Sequence, residues 1–272
     1  MKFENWLLVS DIDGTICPEY NVIPQRNLDA VRRFQQEGGR FTLATGRHLQ
    51  IVRHLVKAFE IRTPLILVNG GCIYDPVAER FTYEQYLNET AIRYVKELQC
   101  RRELLSVRLM TEDNGVYEVY RREDMELSDP RYSKYAVPWA ELEQIAAMRW
   151  RKALFVTSVE DAPAFRAFAQ AQRYPDVSFL ASSGSFYEMV PRGVSKGEGL
   201  LRVAQQLGIP VEHTIGIGDY ENDLSLLQAA GFSAAPENAI GAAKRLADRI
   251  VCDSSEGAVG DLIDYLITHG NS

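Results

Sequence analysis

Trp6-Leu7-Leu8-Val9-Ser10-Asp11-Ile12-Asp13-Gly14-Thr15 is the stretch from which the fold can be read. Its first half is a nearly continuous apolar run, the pattern of a strand covered on both faces. The second half turns abruptly to two carboxylates, a glycine and a hydroxyl. Further on, Leu65–Val68 is a second such run, and Arg40–Thr45 a weaker one carrying Phe41, Leu43 and Ala44. Between the runs, Leu28, Val31 and Phe34 recur at helical spacing, with Pro24 near the start and Gly38-Gly39 at the end. Those are the residues that open and close helices. Ile51, Val52, Leu55, Val56 and Phe59 mark a second amphipathic helix. Strand, helix, strand, helix, strand implies a parallel sheet with helical crossovers.

The C-terminal 80 or so residues repeat that pattern. Leu200, Leu201, Val203, Ala204 and Leu207 stripe a helix that Gly208 closes, and Thr214–Gly218 reads as a buried strand. Helices near Asn222–Ala230 and Asn238–Ala247 follow, with short strands at Phe232–Ala235 and Ile250–Cys252. The middle differs. A helix at Glu89–Arg101 precedes Ser106–Thr111 and Val116–Arg121, joined by Asp113-Asn114-Gly115 as a hairpin turn. A loop with Asp129-Pro130, a helix near Trp139–Ala147, a strand at Lys152–Ser158 and a helix at Ala162–Arg173 come next. Val177–Ala181 and Phe186–Val190 form a second hairpin through Ser182-Ser183-Gly184. The expected fold class is α/β: a doubly wound parallel-sheet, Rossmann-like core interrupted by an inserted α+β module.

Composition narrows the function classes. With about 150 residues per domain as the prior, 272 residues suit one large domain or two ordinary ones. Hydrophobic residues at 46% and charged residues at 25% are globular proportions, which argues against extensive disorder. Thirty Lys+Arg against 37 Asp+Glu leave a charge of −7, so no nucleic-acid or membrane-surface partner is expected. Cys17, Cys72, Cys100 and Cys252 are scattered and read as thiols in a reducing compartment. The leading apolar run is too short for a secretory signal, and none approaches the roughly 20 residues of a membrane span. A soluble, cytoplasmic protein is expected; no sequence feature sets its oligomeric state.

In an open parallel sheet, ligands bind beyond the carboxyl ends of the strands. Those ends deliver Asp11 to Thr15, then Thr45-Gly46-Arg47, then Asn69-Gly70-Gly71, and finally Gly218-Asp219-Tyr220-Glu221-Asn222-Asp223. Lys196 stands alone in Pro191-Arg192-Gly193-Val194-Ser195-Lys196-Gly197. A single Asp at a strand end is usually a cap or turn residue. Two acidic clusters, a hydroxyl and a lysine are harder to dismiss together. Gly216-Ile217-Gly218 is not a dinucleotide loop, because Glu221 occupies the third glycine's place. His48, His54, His213 and His269 show no ligand spacing.

Taken in order, these segments resemble the four motifs of the haloacid-dehalogenase-like phosphohydrolases, in particular their Cof-type branch. Asp11–Thr15 is similar to the first motif, Thr45 with Gly46-Arg47 to the second, Lys196 to the third and Gly218–Asp223 to the fourth. The resemblance implies a core at 1–82 and 191–272, and a C2B-type cap at 83–190 that sets substrate specificity. It further implies a phosphatase acting on small-molecule phosphomonoesters, sugar phosphates above all, with Mg²⁺ as cofactor. Asp11 would be the nucleophile. Asp13, held protonated by acidic neighbours, would be the general acid and base. Asp11, Asp13 through its backbone carbonyl, Asp219 and Asp223 would bind the metal. Thr45, Gly46, Arg47, Asn69, Asn222 and Lys196 would line the substrate, Thr45 and Lys196 as catalytic groups. Ile12 stands where Leu is common in the family and His48 where Pro is frequent.

The electrostatics agree. Unit charges at about 4 Å cost roughly 4 kcal/mol per pair even at an effective dielectric of about 20. Several carboxylates around a phosphate dianion therefore require cations, and Mg²⁺ suits all-oxygen ligands. In the insertion, Glu188 is the leading substrate-contact candidate, weighed against an exposed strand carboxylate; Arg192 and the Arg121–Pro130 loop are weaker ones. A phosphosugar mutase of the same branch and a sugar-phosphate sensor without turnover remain as alternatives.

Overall fold

The computed structural model describes residues 2–123 and 137–269. The chain divides into two compact units, Met1–Glu84 with Val194–Ser272, and Gln85–Gly193.

The N-terminal part of the first unit runs β1 (Leu7–Ser10), α1 (Gln25–Gln36), β2 (Arg40–Leu43), α2 (Leu49–Ala58), β3 (Leu65–Leu67), β4 (Cys72–Asp75) and β5 (Arg80–Glu84). The second unit follows with α3 (Ala91–Leu98), β6 (Leu104–Thr111), β7 (Val116–Arg121), α4 (Leu142–Ile145), β8 (Trp150–Thr157), α5 (Ala162–Ala171), β9 (Val177–Ala181) and β10 (Phe186–Pro191). The first unit resumes with α6 (Lys196–Leu207), β11 (Thr214–Ile217), α7 (Leu224–Ala229), β12 (Phe232–Pro236), α8 (Gly241–Leu246), β13 (Arg249–Val251) and α9 (Ala258–His269).

The first unit is built on a parallel sheet of order β13-β12-β11-β1-β2. Chain direction across the sheet reverses at β1, which makes the carboxyl ends of β1, β2 and β11 a switch point. Ser10 pairs with Leu43 on one side and Ile217 on the other, so Asp11, Ala44 and Gly218 leave the sheet at one level. Leu7, Leu8 and Val9 are wholly buried, as the apolar run requires. Leu200, Val203 and Ala204 of α6 pack on Leu7, Val9 and Ile66. Burying each such Leu or Val contributes about 1.5–3 kcal/mol. β3 joins the sheet through a parallel bridge between Ala44 and Ile66, then folds back antiparallel through β4 and β5.

The second unit is a five-stranded antiparallel sheet, order β7-β6-β8-β10-β9. α5 covers one face, where Phe165 meets Phe155 and Tyr187. Strand register aligns Glu188, Leu154, Arg108 and Glu118 across the opposite face. Glu118 accepts from Ser106 Oγ at 2.5 Å and pairs with Arg108 and Arg121.

The strand-and-helix alternation of the first unit is as the sequence implies. The β4–β5 hairpin and α9 were not anticipated. The hairpin carries Cys72, Ile73, Tyr74, Phe81 and Tyr83, but its strands are only four and five residues long, and its pairing becomes visible only against β3. α9 is held to α1 by Arg26 with Asp261 at 2.8 Å and by Arg33 with Asp264 at 2.6 Å, partners more than 200 residues apart. The helix expected near Trp139–Ala147 is one turn, Leu142–Ile145. The helix expected from Asn238 begins at Gly241. Asp129-Pro130 and most of the Arg121–Pro130 loop lie outside the described residues. No helix among the described residues is long and apolar enough to cross a membrane.

Candidate active site

Asp11 leaves β1 with its amide on Ile217 O at 2.9 Å, so the sheet itself aims the side chain beyond the strand ends. The following loop folds back on itself through Cys17 N to Ile12 O at 2.9 Å and Gly14 N to Cys17 O at 2.8 Å. Gly14 is at φ +79, and a Cβ there would stand 2.6 Å from Asp219 Oδ2. Glycine is what lets the first loop lie against the fourth. Thr15 Oγ1 seals that contact by donating to Asp219 Oδ1 at 2.7 Å.

Lys196 is the first residue of α6, whose N-terminus Ser195 caps by accepting from Glu198 N at 3.1 Å. Its ammonium, almost wholly buried, lies 2.5 Å from Asp11 Oδ1 and donates also to Asp223 Oδ1. The other oxygen of Asp223 accepts from the amides of Asp219 and Tyr220, both at 3.0 Å. The third loop supports α6 from below. Gly70 is at φ +96, and a Cβ there would stand 2.1 Å from Ser195 O. Asn69, also left-handed at φ 55, accepts from Asn222 Nδ2 at 3.1 Å, which couples the third loop to the fourth.

Oxygen atoms of Asp11, Asp219 and Asp223 lie within 4.8 Å of one another, and all three residues are buried. Burial, then the Asp223 charge, hold the Asp11 carboxyl well above the usual carboxylate range, although Lys196 pulls the other way. Burial and Asp223 likewise push Asp219 up to about 7, against the hydrogen bond from Thr15. Burial opposes the Lys196 charge, but Asp11 and Asp223 outweigh it and keep the ammonium above its ordinary range. Three crowded carboxylates with no nitrogen or sulfur among them fit a hard divalent cation, which would relieve their repulsion.

Asp13 is placed differently from expectation. Its carboxylate, about half exposed, meets a cation: Arg47 Nε donates to Oδ2 at 2.9 Å and Nη2 to Oδ1. Planar fork-to-fork pairing fixes both groups. Arg47 also donates to Asn21 Oδ1 at 3.2 Å and lies over the Tyr20 ring at 4.6 Å. The acidic neighbours expected to govern Asp13 are therefore joined by a direct guanidinium contact, because the β1 and β2 loops leave the sheet side by side. Thr45 is buried; its Oγ1 accepts from Arg47 N at 3.1 Å across Gly46, and its carbonyl accepts from Asn69 N at 2.8 Å.

In the second unit, Glu188 is buried, not an exposed strand carboxylate. It pairs with Lys152 Nζ at 2.5 Å and accepts from Ser182 Oγ at 2.6 Å. Arg192 is committed to the backbone, its guanidinium donating to Tyr174 O at 3.1 Å and to Pro175 O. Reading motif by motif missed Asn27 and Asn238. Asn238 follows the end of β12 and would have surfaced had that strand end been read like the others; Asn27, buried within a helix, carries no such signal.

The parallel α/β sheet thus places a buried carboxylate–lysine centre at its switch point, where open sheets of this class hold their ligands. The model of the haloacid dehalogenase-like hydrolases matches residues 8–263. The chain is 28% identical to phosphatase YwpJ of Bacillus subtilis over 96% of its own length and 99% of the relative's. It is 24% identical to 5-amino-6-(5-phospho-D-ribitylamino)uracil phosphatase YitU of the same organism, over 95% and 96%. A solved haloacid dehalogenase-like hydrolase from Bacteroides thetaiotaomicron shares the fold at TM-score 0.81 and 24% identity, covering 96% of this chain and 99% of that one. This chain belongs to the haloacid dehalogenase-like hydrolases.

Proposed function

We propose that the protein is a Mg²⁺-dependent phosphatase that hydrolyses small phosphomonoesters, sugar and polyol phosphates first, through an aspartyl-phosphate. One observation carries the reading: Lys196 spans Asp11 and Asp223 while Asp219 closes the same carboxylate group, side chains drawn from three distant segments. Asp11, Asp219 and Asp223, with the backbone carbonyl of Asp13, would hold Mg²⁺. The ion, when bound, neutralises charge on the phosphoryl oxygens.

The chain's own groups supply the rest. An Asp11 oxygen attacks phosphorus; the Asp11–phosphorus bond forms as the bond to the leaving alkoxide breaks. Lys196, gripping Asp11 Oδ1, sets the rotation of that carboxylate. Asp13, turned out of its Arg47 pair and carrying a proton, gives that proton to the alkoxide, then takes one from the water that attacks the phosphoaspartate, releasing phosphate and restoring Asp11. Arg47 receives the Asp13 carboxylate between the two transfers, when it carries no proton. Thr45 and the amides after Asp11 are assigned to the phosphoryl oxygens, with Gly46, Asn69 and Asn222 supporting them. Glu188 of the second unit is retained as the candidate for substrate recognition. The name of YitU, a phosphatase of a phosphoribityl compound, supports that substrate class.

The test is phosphate release from p-nitrophenyl phosphate and a panel of sugar and polyol phosphates with Mg²⁺. Asp11→Asn is expected to keep the fold and lose turnover. Wild-type-like activity in that variant removes the nucleophile assignment, and isomer formation without phosphate release replaces hydrolysis by a mutase reaction.

A further inference from the structure

The loop after β12, residues 237–240, belongs to none of the four motifs. Yet it touches both acid-bearing loops. Asn238 Nδ2 donates to Gly14 O at 2.7 Å, and Ile240 N donates to Asp219 O at 2.9 Å. Asn238 Oδ1 in turn accepts from Ser254 N at 2.9 Å, so its planar amide is anchored on the C-terminal segment. Asn27 repeats the device from the other side. Its Nδ2 donates to Ile16 O at 2.9 Å and its Oδ1 accepts from Gly260 N at 2.8 Å, in full burial. Two alternate carbonyls of the Asp13–Cys17 loop are thus each tied by an asparagine to a backbone amide of the last 20 or so residues.

We infer that Asn238 is a positioning residue that sets the separation of the Asp11 and Asp219 loops, and with it the affinity of the carboxylate group for its cation; Asn27 is its buried counterpart. The inference rests on the proposed Mg²⁺ site. The chemistry is specific to the residue type. A carboxamide presents a donor and an acceptor on one rigid plane, and each faces its complement here. Aspartate has the same shape but only acceptors, so it would set an oxygen against Gly14 O and break the relay. Leucine or alanine would leave the Gly14 carbonyl and the Ser254 amide without this partner. Because Gly14 abuts Asp219 with no room for a Cβ, a shift of the Gly14 carbonyl is transmitted directly to the Asp219 carboxylate.

Asn238 is exposed, so its variants are suited to a test without loss of the fold. Asn238→Asp and Asn238→Ala are compared with wild type by calorimetric titration of the metal-free full-length protein with Mg²⁺, by unfolding in EDTA, and by steady-state kinetics. Replacing groups that orient metal ligands typically costs about 10- to 100-fold in metal affinity or activity. Asn238→Asp is expected in that range for the Mg²⁺ dissociation constant, with kcat reduced in parallel, KM within about twofold, and the metal-free unfolding midpoint unchanged. Asn238→Ala is expected to move the same way by less. Wild-type Mg²⁺ affinity in both variants overturns the inference, as does a lowered metal-free midpoint with unchanged affinity, the mark of a purely structural residue. If the wild type binds Mg²⁺ but releases no phosphate, the phosphatase reading fails while the calorimetric comparison still decides the role of Asn238.

Discussion

Replacing Lys196 by Met tests the electrostatic account of the site at its centre. Methionine nearly matches the length and volume of the lysine stem, so the change removes charge without opening a large void. In the folded protein the ammonium is 1% exposed and touches Asp11 Oδ1 at 2.5 Å and Asp223 Oδ1. Asp219 adds a third buried carboxylate to the same group. Removing one partner of a buried pair typically costs about 3–5 kcal/mol, because the other charge is left uncompensated. At about 2–4 °C per kcal/mol for a protein of this size, the metal-free midpoint should fall by about 6–20 °C. Millimolar Mg²⁺ should return much of that loss, since a divalent cation among the carboxylates replaces the missing charge. The assay is thermal unfolding of wild type and Lys196→Met, each in EDTA and in Mg²⁺, with phosphate release measured alongside. A midpoint in EDTA within about 2 °C of wild type, a shift worth under about 1 kcal/mol, would refute the claim that Lys196 holds the acidic group together.

Gly70→Ala forces a side chain into a left-handed position and against Ser195 O, with a strain of about 1–3 kcal/mol. Displacing the cap of α6 displaces Lys196, so kcat should fall by about a hundredfold, as for a misplacement of about 1 Å; wild-type kcat would show that Ser195 yields without moving the lysine. Asp176 in the second unit is held down to about 2: burial opposes this, but Thr90, Asn88 and Tyr94 donate to the carboxylate and prevail. Its folded pKa lies below the ordinary 3.8, so its stabilising contribution is present above about 4 and lost as pH falls toward about 2. Asp176→Asn should therefore lower the urea midpoint at neutral pH, and the gap should close as pH falls through that window; a gap independent of pH contradicts it.

Three of the four motifs were legible because each is short, contiguous and placed at the end of an apolar run; Lys196 stood out as an isolated lysine and took its place in the series from the family resemblance. Strand burial shows in side-chain pattern alone, and the carboxyl-end rule then tells where such a strand delivers its polar residues. Asp11, Thr45, Asp219 and Asp223 were accessible on that basis. The β4–β5 hairpin was not, because strands of four and five residues are stabilised by their partners more than by their own preference. The sequence left Glu188 between a substrate contact and an exposed strand carboxylate. Only the register of β8 against β10, supplying Lys152, explains how it is buried.

The sequence by itself determined the alternation of strands and helices, the inserted module and the identity of the acidic and basic groups at the strand ends, since all of these are written in local pattern and residue type. Tertiary structure alone decided which group faces which: Arg47 on Asp13, Lys196 between Asp11 and Asp223, and Asn238 between Gly14 and Ser254. Contacts between residues tens to hundreds of positions apart leave no periodicity behind them. They exist only once burial has drawn the strand ends to one level and desolvation has made each unpaired charge too costly to leave alone.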